Sequence, residues 1–194
     1  MRHESSVIRT AGVVFLLLLI AVGCVERKPE MLTKKESPVT SDLVAMLKER
    51  DLMASDSRTS REVLAAYDLR HRQQVYQYLA QSLLIEPVDL YRAALVLQNA
   101  DTATSKENFM LAYYLAMEAA KKGHEEAKFL SAASLDKYLV ASGLRQKYGT
   151  QIGRDHFGRY YVSPFDTSTT DADRAVWDVP GLDSLVKLAE AKNR

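Results

Sequence analysis

The stretch ENFMLAYYLAMEAAKKGHEEAKFLSAASLDKYLVASG, residues 107–143, decides the fold. In it Phe109, Ala112, Tyr113, Ala116, Ala119 and Ala120 recur in steps of three and four, the period of one helix face. A face that rich in alanine lets a second helix approach closely. Gly123 ends the run, a second helical run from about Glu125 to Ser142 begins at once, and Gly143 closes it. So short a connection makes the two helices antiparallel neighbours. The spacing predicts an αα-hairpin at the centre of the chain.

Working toward the N-terminus, Pro87 fits the first turn of a helix that turns Tyr91, Ala94, Leu95 and Leu97 inward as far as Asn99. Thr104 and Glu107 have the spacing of a capping box ahead of the central hairpin. Residues 57–84 contain neither Gly nor Pro. Their apolar stripe (Val63, Leu64, Tyr67, Val75, Tyr78, Leu79, Leu83) is interrupted by the polar run from Asp68 to Gln74. One long helix and two helices broken near Arg70 both fit. Leu43, Val44, Met46, Leu47 and Leu52 give a first helix, with Ser41 or Asp42 as its cap.

Toward the C-terminus, the β-prone segments Tyr148 to Ile152 and Arg159 to Val162 flank Gly153 to Gly158, which reads as a hairpin over about 148–162. Asp171 to Trp177 reads as a short helical turn. Leu182 to Ala191 reads as an amphipathic helix with Leu182, Leu185, Val186 and Ala189 on one face. The expected fold is mainly α: a helical bundle or αα-hairpin array over 41–194, one domain, with a small appended β-hairpin.

Composition bounds the function. The 194 residues are 47% hydrophobic with 8 Gly and 5 Pro, which excludes a disordered or collagen-like chain. Lys+Arg number 26 and Asp+Glu 25, so nothing signals a nucleic-acid partner. One Cys excludes an internal disulfide framework and a thiolate-rich zinc site. No histidine pair has metal-ligand spacing, and no Gly-rich phosphate cradle or Gly-x-Ser-x-Gly nucleophile turn occurs. Neither a metal nor a cofactor is expected.

The first 25 residues stand apart. Arg2 and Arg9 precede 16 uncharged residues, Thr10 to Val25. As a helix these reach roughly 24 Å, short of the ~30 Å of a bilayer core but right for the apolar region of a secretory signal. Ala21-Val22-Gly23-Cys24 resembles the cleavage site of a bacterial lipoprotein, with Ala21 where Leu is usual. That resemblance implies removal of residues 1–23, diacylation of Cys24 and attachment to the membrane by lipid. Val25-Glu26-Arg27 lacks the Asp that retains lipoproteins in the inner membrane, which implies the periplasmic face of the outer membrane in a Gram-negative source. The mature 171 residues carry 24 basic and 24 acidic side chains. Residues 24–40, polar and holding Pro29 and Pro38, read as a tether.

Two further resemblances lie in the helical part. Ala116 to Ala127 followed by Leu130 resembles one unit of a Sel1/tetratricopeptide-type repeat, too little for a solenoid. Leu135-Asp136-Lys137-Tyr138-Leu139 followed by Gln146-Lys147-Tyr148-Gly149-Thr150-Gln151 resembles an uncharacterised bacterial domain family. That family is marked by D-R-x-L and then Q-x-[YF]-G-T-Q. Asp89 to Gln98 extends the similarity, so that it covers roughly residues 56–151. Lys137 stands where Arg is usual and Asn99 where relatives often have His. The family has no assigned activity; the resemblance implies a fold and leaves the chemistry open.

Asp136 is the most informative side chain. Its neighbours three and four residues away are Ala132, Ala133, Leu139 and Val140, so a carboxylate leaves an apolar face and needs partners. Gln98, Asp136, Gln146, Tyr148, Gly149, Thr150 and Gln151 form a structural clasp or a polar ligand pocket. His3 leaves with the signal, and His71, His124 and His156 read as solvated surface. Arg58, Arg61, Arg70, Arg72 and Arg92 with Asp56, Glu62, Asp68 and Asp89 read as a solvated, salt-bridged helix face, the alternative being polar interhelical pairing with Asp89 or Asp136. The expected function is a lipid-anchored envelope protein that binds a protein or envelope component without chemistry. The alternative is an envelope hydrolase or transferase using Asp136 and the Tyr148–Gln151 loop.

Overall fold

A computed structural model describes residues 37–100 and 105–194. The expected leader (1–23), the lipidated Cys24, the tether as far as residue 36 and the Thr104 half of the capping box lie outside the described residues.

The order of elements is α1 (Pro38–Ser55), α2 (Arg61–Ala80), α3 (Pro87–Leu97), α4 (Glu107–Lys121), α5 (Ala127–Ala141), β1 (Ile152–Arg154), β2 (Tyr160–Val162), α6 (Asp171–Val176) and α7 (Leu182–Ala191). The fold is mainly helical with one small antiparallel β-hairpin. The central prediction holds: α4 and α5 pack on each other across the tight turn at Gly123, with Ala112, Ala116, Ala119 and Ala127 fully buried. Gly123 takes φ of +91°, a left-handed conformation costly for any residue with a Cβ, and the His124 N–H then caps the Ala119 carbonyl at 3.0 Å. The same core takes in Leu43 and Met46 of α1, Val75 of α2 and Leu90, Ala93, Ala94 and Leu97 of α3.

Three features differ from the sequence reading. First, α1 begins at Pro38, so the chain is already helical over the last residues assigned to the tether, and neither Ser41 nor Asp42 caps it. Ser37 is the cap, its Oγ accepting from the Thr40 N–H at 3.1 Å. Pro38 at the first helical position loses nothing by lacking an N–H that would have no partner there. Val39 and Thr40 are buried.

Second, α2, the single helix of the two alternatives left open, buries part of its polar middle. Asp68 and Arg72 are buried rather than solvated: Arg50 Nε donates to Asp68 Oδ1 at 3.3 Å, and Arg72 Nη1 donates to the Asn99 carbonyl at 2.9 Å. Asp89 is buried too, its carboxylate accepting from the Thr40 hydroxyl at 2.7 Å, which pins α3 to the start of α1. A polar interruption in the stripe marks here a set of interhelical bonds.

Third, the β-hairpin is shorter than 148–162. Its register pairs Ile152 with Val162, Gly153 with Tyr161 and Arg154 with Tyr160. The segment Tyr148 to Gln151 is not strand, because the Tyr148 and Thr150 amides turn to Asp136 of α5, and the Gln151 amide to the Gln146 side chain, instead of a strand partner. Beyond β2, the side-chain amide of Asn193 binds the Tyr160 backbone both ways: Tyr160 N–H donates to Asn193 Oδ1 at 2.6 Å, and Asn193 Nδ2 donates to the Tyr160 carbonyl at 2.9 Å.

Candidate functional site

Asp136 sits on α5 with no solvent exposure. Its Oδ1 accepts from the backbone N–H of Lys147 at 2.6 Å and of Tyr148 at 2.9 Å. Its Oδ2 accepts from the Thr150 N–H at 2.9 Å and the Thr150 hydroxyl at 2.8 Å. Every partner is a donor, the complement of a group that only accepts. Gly149 makes the turn possible. Its φ of +88° suits glycine, and a Cβ there would meet Leu185 Cδ1 at 3.4 Å.

Gln146 closes a second layer around the same turn and is itself fully buried. Its Nε2 donates to the carbonyls of Ser163 (2.6 Å) and Gln151 (3.0 Å), while its Oε1 accepts from the Gln151 N–H at 2.7 Å. Gln151 Nε2 reaches back to the Ala133 carbonyl of α5 at 3.2 Å. The turn is thus tied to α5 on one side and to the exit of β2 on the other. Of the residues singled out from the sequence, Asp136, Gln146, Tyr148, Gly149, Thr150 and Gln151 come together.

Gln98 belongs to a different set of bonds. It lies at the end of α3, where its Nε2 donates to Ser134 Oγ at 2.5 Å and its carbonyl accepts from Lys137 Nζ at 2.7 Å. Lys137 lies over the Phe109 ring at 4.6 Å, and burial, with Arg50 nearby, holds its amine below the ordinary lysine range. Lys137 thus does at the C-terminal end of α3 what a cation does there generally, meeting unpaired carbonyls. Nor are His71 and His124 plain surface residues. His71 stacks on Tyr67 (ring centroids 4.1 Å apart) and His124 on Tyr91 (4.5 Å), both half-buried. His156 is exposed beside Phe157. Among the described residues no group of three or more His, Cys, Asp or Glu is placed to hold a metal ion. No described helix is long and apolar enough to cross a membrane.

The sequence reading missed Arg174, which is 2% exposed. From α6 its Nε donates to the Tyr148 carbonyl at 2.8 Å, and its Nη1 donates to the Thr169 carbonyl at 2.8 Å and to Asp171 Oδ1 at 3.0 Å. One guanidinium therefore joins the Asp136 turn, the 163–170 loop and α6. The signal available in the sequence was the spacing Thr170-x-x-Asp173, a capping box that starts α6 and fixes where Arg174 points.

The three segments that Arg174 joins also flank an open cleft of about 380 Å³, lined by the exposed Lys147, Asp166 and Asp173 and by Tyr148, Thr169 and Trp177 among others. Hydrogen bonds from the Ser168 N–H and hydroxyl hold the Asp166 carboxyl below its ordinary pKa. The Thr170 hydroxyl and N–H do the same for Asp173. Burial pushes the Tyr148 phenol up to about 12. No family model, curated protein or solved structure matches the chain.

Proposed function

We propose that this chain is a lipid-anchored protein of the cell envelope, held through Cys24, which works as a binding or scaffold module for a protein or envelope component. The outer membrane, periplasmic face, is the assigned site in a Gram-negative source. The observation that carries the non-enzymatic reading is the occupancy of Asp136. Both of its oxygens are taken by donors of its own chain, and it has no exposed surface from which to meet a substrate. A general acid or base must lie within hydrogen-bond reach of the proton it moves. Asp136 meets only the turn that it holds in place, so the hydrolase or transferase alternative finds no support in this geometry.

The anchor is tested with the full chain expressed in a Gram-negative host. The wild type should incorporate labelled palmitate and sediment with outer membranes, whereas Cys24→Ser should lose the label and leave the membrane fraction. Label incorporation by Cys24→Ser, or a soluble wild type, overturns the reading. The binding role is tested by cross-linking the lipidated protein in intact cells, where a discrete cross-linked product is expected.

A further inference from the structure

The cleft beside the Asp136 turn has the features of a small-molecule site, and five observations narrow what fits it. Its volume, about 380 Å³, lies near the lower end of the ~300–1,000 Å³ typical of ligand pockets, too small for a folded partner. Its carboxylates are fixed and half free. Asp166 uses Oδ1 for the Ser168 donors and Asp173 uses Oδ2 for the Thr170 donors, which leaves the other oxygen of each without a bond to a described residue. Lys147 lies over the Tyr148 ring at 5.5 Å with its ammonium in no hydrogen bond. Tyr148, only 5% exposed, is one of the residues that line the cleft, and its hydroxyl bonds to no described residue. Trp177, tilted against Tyr148 at 6.4 Å, supplies an aromatic wall.

The charges discriminate between ligands. Two carboxylates against one lysine disfavour an anion, and the unpaired Lys147 ammonium in the same lining repels an amine. What remains is a neutral molecule with many hydroxyls. Such a molecule donates to Asp166 and Asp173, accepts from Lys147 and Tyr148, and lays a C–H face on an aromatic ring. We infer that this cleft binds a saccharide unit, with Asp166, Asp173, Lys147 and Tyr148 as its polar contacts and Trp177 as its stacking wall. Arg174 and Asp136 are positioning residues. By holding the Tyr148 and Thr169 carbonyls and the Lys147 and Tyr148 amides, they fix the walls before a ligand arrives. This inference rests on the reading of the chain as a module that binds an envelope component, and it names the class of component.

Trp177 is the one tryptophan of the chain, so its fluorescence reports on the cleft alone. The full lipidated protein in detergent micelles is titrated with glucose, maltose and the disaccharide of N-acetylglucosamine, and in parallel with inorganic phosphate and putrescine. A saturable change is expected with at least one sugar and with neither ionic probe. Lys147→Met, whose backbone bond to Asp136 is untouched, and Asp166→Asn, which keeps the acceptor for the Ser168 turn, should each weaken that binding at least tenfold with an unchanged melting temperature. No saturable response to any sugar, a response to phosphate or putrescine instead, or sugar binding that both variants leave unaltered would each overturn the inference. The palmitate and cross-linking results are independent of these titrations, so loss of the saccharide assignment leaves the anchored-module reading standing.

Discussion

The α3–α5 helices and the segment from Gln146 to Val179 are held by different forces. The helices bury a continuous apolar core in which small side chains set the spacing: Ala93, Ala94, Ala112, Ala116, Ala119 and Ala127 have no exposed surface. The later segment has a modest core of Ala132, Tyr148, Val179 and Leu185. Around it stand three buried polar side chains, Asp136, Gln146 and Arg174, which between them bond the backbone of the turn and of the loop, Arg174 doing so from α6. The first arrangement tolerates exchange of one apolar residue for another of similar volume. In the second, removing one group leaves several buried donors or acceptors unpaired.

The largest effect that separates the two regions is expected at Asp136. Asp136→Asn keeps the shape but sets an NH₂ group among four donors. The expected cost is about 3–5 kcal/mol, measured by urea unfolding. Hydrogen exchange should show amides 147–151 losing protection while those of α4 and α5 keep theirs. A cost below about 1 kcal/mol would mean that the apolar contacts of Tyr148 and Leu185 hold the turn by themselves. Because this substitution strikes folding, it cannot serve to separate an enzyme from a binding module.

Ala116→Leu sharpens the comparison from the other side. Overfilling the α4–α5 contact should cost about 1–3 kcal/mol, with the helical amides exchanging faster and the turn around Asp136 unaffected. A uniform loss of protection would make the two regions one cooperative unit.

The smallest effect concerns pH and belongs to the helical region. Burial first, and Arg70 second, hold the His71 imidazole below its ordinary pKa. The folded chain therefore takes up this proton less readily than the unfolded chain. The stability involved is fully present above about pH 6.5 and is lost as the pH falls from there toward the folded value. His71→Gln should flatten the fall in melting temperature over that interval.

The apolar skeleton was legible because its signal is local. Gly123, Gly143 and the alanine spacing report on neighbours three and four residues away, and that is enough to place α4 and α5. Asp136 was legible for a related reason, since a carboxylate among Ala132, Ala133, Leu139 and Val140 has to find donors, and the donor-rich turn follows within the same stretch of chain. Arg174 was legible only as a member of the helix that the Thr170-x-x-Asp173 box starts, not in its bonds. Its partners are carbonyls of Tyr148 and Thr169, groups every residue possesses, so no side-chain pattern announces the pairing. The start of the hairpin was misplaced because β-propensity at Tyr148 to Gln151 competes with a buried acceptor that claims the same amides. Asp68 and Arg72 looked solvated because charge density alone does not distinguish a wet face from one that bonds a neighbouring helix.

The Asn193 amide has a consequence for how copies of this protein behave toward one another. A carboxamide offers both a donor and an acceptor, as a peptide unit does, and here it occupies the outward-facing pair at Tyr160 that an invading strand would need first. At that point the molecule seals its own strand border with a side chain, the kind of cover that keeps one sheet edge from pairing with another.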